Sequence, residues 1–140
     1  YCWLKGMYSS ANLVIFVNLE DYFKEAESLL HEHPVYLCLS YETDLVPLEY
    51  MAGFLKEWAD FTVSHPGLSI EIRTKSAVPV WDRTAVSERI IPSFTLSPDP
   101  IIQKYEHKTP SLQKRLEAAL PHLRSLQRRK DARRQYPDRV

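Results

Sequence analysis

At 140 residues, with 44% apolar and 11% aromatic side chains, the chain has material for one domain with a hydrophobic core. Eighteen basic residues balance eighteen acidic ones, so overall charge selects no partner. No apolar run approaches the roughly 18 residues of a membrane span. No signal peptide is expected at the opening Tyr-Cys-Trp-Leu-Lys-Gly, and two cysteines, Cys2 and Cys38, suit a reducing cytoplasm better than a disulfide scaffold.

The run Leu-Val-Ile-Phe-Val at 13–17 is short, apolar and β-branched, and predicts a first strand. Asn18 offers an N-cap, with Asp21 placed to reach back as in a capping box. Leu19, Tyr22, Phe23, Ala26, Leu29 and Leu30 then recur at helical spacing, predicting a one-faced helix over 19–32 that His33-Pro34 ends. Residues 35–40 read as a buried parallel strand, apolar on both faces.

Pro47 suits a first helical turn, and Leu48, Met51, Leu55, Trp58 and Ala59 give a helix over 47–64 its inner face, closed by Pro66-Gly67. Leu68, Ile70 and Ile72 alternate inward in a strand over 68–73. A short helix is expected in 76–88, around Pro79 and Trp81, and a fourth strand at 90–96. Thr109-Pro110 reads as an N-cap followed by proline, opening a helix over 110–126 with Leu112, Leu116, Ala119, Leu120 and Leu123 inward and Pro121 as a kink. Residues 128–140 are a basic, poorly ordered tail in this reading.

Strand–helix alternation argues an α/β fold with a parallel sheet. In such folds functional groups gather where strands end. Three polar clusters follow apolar strands: Tyr41-Glu42-Thr43-Asp44, Thr74-Lys75 and Thr95-Leu96-Ser97. His31, His33, His65, His107 and His122 show no zinc spacing, and three glycines form no phosphate loop. Glu42 and Asp44 leave a paired-carboxylate hydrolase open as a rival.

Several segments, in order, resemble the spore photoproduct lyase family of radical S-adenosylmethionine enzymes. Tyr1-Cys2-Trp3-Leu4-Lys5 is similar to the end of its C-x-x-x-C-x-x-C cluster motif, and Val17-Asn18-Leu19-Glu20-Asp21 to its entry into the first helix. Tyr41-Glu42-Thr43-Asp44-Leu45 resembles the segment ending in Thr/Ser-Asp, Arg73-Thr74-Lys75-Ser76 its Thr-Lys strand end, and Phe94-Thr95-Leu96-Ser97-Pro98 its [ST]-[IL]-[NS] strand. Tyr105-Glu106-His107-Lys108-Thr109, then Lys114-Arg115-Leu116-Glu117-Ala118-Ala119, is similar to its E-x-x-T…RL-x-A helix.

The resemblance covers residues 1–127 and implies a partial TIM-type barrel, a [4Fe-4S] cluster with Cys2 as one iron ligand, and S-adenosylmethionine as cofactor. In the family, an electron from a donor such as flavodoxin or ferredoxin cleaves the sulfonium, and the 5′-deoxyadenosyl radical takes hydrogen from substrate. It further implies Lys75 on the methionine carboxylate with the Thr95 hydroxyl as second donor. Thr43 and the backbone carbonyl near Leu39 would receive the amino group.

Two departures bear on substrate. Where the family carries a hydrogen-returning cysteine before Thr/Ser-Ser-Asp, this chain has Tyr41, and the tyrosine after the cluster cysteine is Trp3. Tyr41 is the candidate donor in its place. These changes weaken repair of a DNA thymine photoproduct and touch the radical chemistry less. The resemblance begins at the last cluster cysteine, so the activity implied is that of the parent protein, and the fragment alone is expected to be inactive. The alternative is an inactive relative that binds nucleic acid through its basic tail.

Overall fold

In the computed structural model, residues 14–41, 43–78 and 88–135 are described, with only the backbone for 125–126 and 128–135. The elements are α1 (Leu19–Glu32), β1 (Val35–Cys38), a 3₁₀ turn (Val46–Leu48), α2 (Glu49–Ala52), α3 (Phe54–Ser64), β2 (Leu68–Thr74), β3 (Ile90–Phe94), α4 (Asp99–Tyr105) and α5 (Leu112–Gln135). The strands form one parallel sheet in the order β1-β2-β3, with Leu37 opposite Ile70 and Ile70 opposite Ile90.

Alternation along the strands sorts residues between two faces. Val35, Leu37 and Leu39 pack with Leu68, Ile70, Ile72 and Ile90 against Ala26 of α1 and Leu55, Trp58 and Ala59 of α3. Phe23 meets the Trp58 ring edge-on at 4.8 Å and stacks on Phe61 at 4.4 Å. Phe94 follows the same alternation and its ring lies 5.9 Å from His122 of α5. Helices α1, α3 and α5 therefore meet one face of the sheet.

The opposite face carries Tyr36, Glu71, Arg73 and Ser93. There Glu71 accepts hydrogen bonds from Tyr36 Oη (3.0 Å) and from Arg73 Nε (2.8 Å). Arg73, with further donors Ser93 and Tyr36, outweighs burial and holds the Glu71 carboxyl at about 2. Cys38 is partly exposed on this polar face.

Several expectations need correction. The predicted first strand does not form: residues 14–18 have no regular structure, and Val14, Phe16 and Val17 are exposed. Apolar β-branched residues make a strand only where a ladder partner takes their backbone groups, and among the described residues this segment has none. Asn18 Nδ2 donates to Asp21 Oδ2 (2.9 Å), a side-chain pair rather than a capping box.

The helix expected over 47–64 is broken at Gly53, whose φ of +66° lies in the left-handed region. Glu49 bridges the break, its carboxylate accepting from Leu55 N (2.8 Å) and Lys56 N (3.1 Å). Helix α4 was not expected, and the helix expected over 76–88 falls largely on residues 79–87, outside the described ones. At α5, Ser111 rather than Thr109 faces the first turn, accepting from Lys114 N (3.4 Å). The α5 backbone continues past Pro121 to Gln135, into the expected tail.

Candidate functional site

The C-terminal ends of the three strands form a rim, and Asp44 ties two of them together. Its carboxylate accepts from Thr74 Oγ1 (2.8 Å), from the Lys75 backbone N–H (2.7 Å) and from Val46 N (3.2 Å). Thr74 Oγ1 in turn accepts from Ser76 N (2.9 Å). Ser40, at the end of β1, donates to Arg73 O (2.9 Å) and accepts from Arg73 N (2.6 Å), continuing the ladder after the strand ends. Asp44 is thus a structural acceptor whose oxygens are taken by β2. That arrangement leaves it unsuited to the general acid–base work of a hydrolase.

A second knot joins β3 to α4 and α5. Arg115 is fully buried and uses its donors on four protein groups. Its Nε donates to Pro110 O (3.0 Å), Nη1 to Thr95 O (2.9 Å), and Nη2 to Thr109 Oγ1 (2.9 Å) and Glu106 Oε2 (2.6 Å). Between these groups Lys108 adopts a left-handed φ of 62°, turning the chain so that Thr109 Oγ1 reaches Glu106 O at 2.8 Å. The other oxygen of Glu106 accepts from Ser97 Oγ (2.8 Å) and stands 3.1 Å from Lys75 Nζ. Burial pushes the Glu106 carboxyl up, but Arg115, Ser97 and Lys75 together hold it at about 2.

The residues singled out in the sequence divide between two sides of this rim. Lys75 reaches toward Glu106, its side chain 44% exposed. Thr95 lies beside this cluster, its backbone bonded to Thr74 and Arg115. Thr43 and Leu39 instead line a cavity of about 460 Å³ beyond β1, with Phe16, Leu37, Leu45 and Trp58 among its apolar walls. Asp44, next to Thr43, links the two sides through the Lys75 backbone.

Tyr41 is 74% exposed, its ring 5.4 Å from the Arg73 guanidinium. Cys2 and Trp3 lie outside the described residues. Among the described residues no three His, Cys, Asp or Glu side chains are grouped to hold a metal ion.

Sequence reasoning did not assign the Glu106–Arg115 pair to the site. Its signal was there as Glu106-x-x-Thr109 with Arg115 six positions on, all three of which meet at one guanidinium. Among the described residues no helix is long and apolar enough to cross a membrane. No family model, no curated protein and no solved structure matches the chain.

Proposed function

We propose that this chain is part of a radical S-adenosylmethionine enzyme resembling the spore photoproduct lyase family, with Lys75 binding the cofactor's methionine carboxylate. The observation that carries the reading is the placement of Lys75. It is a half-exposed ammonium at the C-terminal end of a central parallel strand, held by Asp44 at its backbone and Glu106 at its tip. Strand ends of parallel α/β sheets are where ligands bind.

A partial barrel is the architecture that accords with this reading. The strands run in sequential order, and the helices α1, α3 and α5 share one face. A doubly wound sheet would place helices on both faces. The polar face bearing Tyr36, Glu71, Arg73 and Ser93 would then line the barrel interior.

The residues present fit the amino-acid end of the cofactor. Lys75 supplies a point charge for a carboxylate, while Thr43, an exposed residue, faces the cavity beyond β1 on the other side of Asp44. Among the described residues Cys38 is the one cysteine and no side chains are grouped to hold a cluster, while Cys2 lies outside them. When bound and supplied with one electron by an external donor, S-adenosylmethionine would release methionine and supply a hydrogen-abstracting radical. The chain's own part is to hold the carboxylate at Lys75 and to fix the rim through Asp44.

The test is cofactor binding by titration calorimetry. Lys75→Ala should weaken S-adenosylmethionine by about tenfold to a hundredfold, the loss of roughly 1.5–3 kcal/mol for one charged hydrogen bond. Equal affinity in the two proteins would remove Lys75 from the site. In the parent protein, reconstituted anaerobically with iron and sulfide, Cys2→Ala should abolish reductive cleavage of the cofactor.

A further inference from the structure

The ammonium of Lys75 does not move freely. Its backbone is tied to Asp44, and Nζ stands 3.1 Å from Glu106 Oε1. Glu106 is itself held at both oxygens, by Ser97 at one and by the fully buried Arg115 at the other. Arg115 is fastened in turn to Thr95, Thr109 and Pro110. The carboxylate has two partners besides the lysine, so its position is set by the fold and that of the ammonium by the carboxylate.

We infer that Glu106, backed by Arg115, is a positioning and selectivity residue for the anion-binding ammonium of Lys75, tuning it to singly charged carboxylates against phosphates. This rests on the reading of Lys75 as the carboxylate-binding group. An ammonium has three donors, and the Glu106 contact takes one, leaving two for a ligand. Fixing a free lysine on a ligand costs rotamer entropy. Here the fold has already ordered the side chain.

Charge sets the selectivity. Arg115 is turned inward onto Glu106 and backbone oxygens and Asp44 onto the end of β2, so within this cluster the half-exposed Lys75 presents a single positive charge to a ligand. A monoanion matches that charge. The second charge of a phosphate would face Glu106 Oε1, which lies beside the same ammonium. Like-charge juxtaposition of this kind rejects the wrong ligand without adding affinity for the right one.

The experiment follows the Lys75 side-chain NMR signal in the intact chain and titrates S-adenosylmethionine, acetate and inorganic phosphate. In the wild type, the Lys75 signal should stand apart from those of exposed lysines, and acetate should bind more tightly than phosphate. Glu106→Gln should move the signal into the exposed envelope, weaken S-adenosylmethionine about tenfold and narrow the acetate-to-phosphate preference about tenfold. Glu106→Asp keeps the charge and the Arg115 pair but draws the carboxylate back by one methylene. It should free the Lys75 signal in a folded protein even where Glu106→Gln does not fold. A Lys75 signal and an acetate-to-phosphate ratio unchanged in the variant that folds would overturn the inference. If S-adenosylmethionine fails to bind while the Lys75 signal and the anion ratio still respond to Glu106, the cofactor reading falls and the positioning role stands.

Discussion

Arg115 Nη2 meets Glu106 Oε2 at 2.6 Å, and the arginine has no solvent-exposed surface. The pair joins α5 to the end of α4, and through Thr95 O to the end of β3. A guanidinium suits this position because its planar fork reaches several acceptors in fixed directions. Removing one partner of a buried pair leaves the other charge unpaired.

Arg115→Met should therefore destabilise the fold by up to about 3–5 kcal/mol, since Glu106, its side chain only 10% exposed, would keep only the half-exposed Lys75 as counter-charge. Urea unfolding followed by tryptophan fluorescence measures this. A loss under about 1 kcal/mol would mean that the pair is nearly neutral in the folded state. Arg115→Lys should recover only part of the loss, because one ammonium cannot reach Pro110, Thr95, Thr109 and Glu106 together.

Acid should unfold the chain through two carboxylates. Glu106 and Glu71 are both held at about 2 against an ordinary value of 4.5. A depressed carboxyl stabilises the fold above its unfolded value, and the contribution is lost as pH falls toward the folded value. Stability should thus decline between about pH 4.5 and pH 2. The decline should be shallower in Glu71→Gln and in Glu106→Gln. A wild-type profile flat through that window would contradict the assignment of both groups.

Much of this architecture was legible in sequence where the signal is local. The apolar spacing from Leu19 to Leu30 predicted α1 at its observed bounds, and the apolar runs at 35–40, 68–73 and 90–96 predicted the three strands. The rim was legible too, because Thr74 ends β2, Lys75 follows it, and Asp44 stands in the loop after β1. What failed was non-local. The run at 13–17 has strand composition, but strand formation depends on a neighbour that sequence composition does not reveal. The Glu106–Arg115 contact spans a turn through the left-handed Lys108, a conformation that lysine does not advertise. Short α4 carries Ile102 as its one buried residue, too little for a periodic signal.

Gly53 offers a direct check on the break between α2 and α3. Its φ is +66°, and an added Cβ would meet nothing within 4 Å. Any cost of Gly53→Ala is therefore conformational rather than steric, about 1–2 kcal/mol for a left-handed alanine. Differential scanning calorimetry should show a lower Tm. If Tm rises instead, α2 and α3 form one continuous helix in solution.

Tyr41 is the residue whose chemistry is most open to test. It stands after β1, 74% exposed, with its ring 5.4 Å from the Arg73 guanidinium. Phenylalanine keeps the aromatic face for the cation, so Tyr41→Phe should change stability by less than about 0.5 kcal/mol. Tyr41→Ala removes that face and should cost about 0.5–1 kcal/mol. Activity separates the two ways in which the ring can matter. On the proposed function, if the phenol returns hydrogen to a substrate radical, the Phe variant of the reconstituted parent protein should still cleave S-adenosylmethionine while its product yield collapses and by-products appear. An unchanged yield, with stability also unchanged, would leave Tyr41 as a platform for Arg73 and would move the search for the donor to the polar sheet face. Cys38 is the first residue to substitute there, being partly exposed and opposite Glu71 in the ladder. Cys38→Ala in the Tyr41→Phe background would then show whether the thiol supplies the hydrogen.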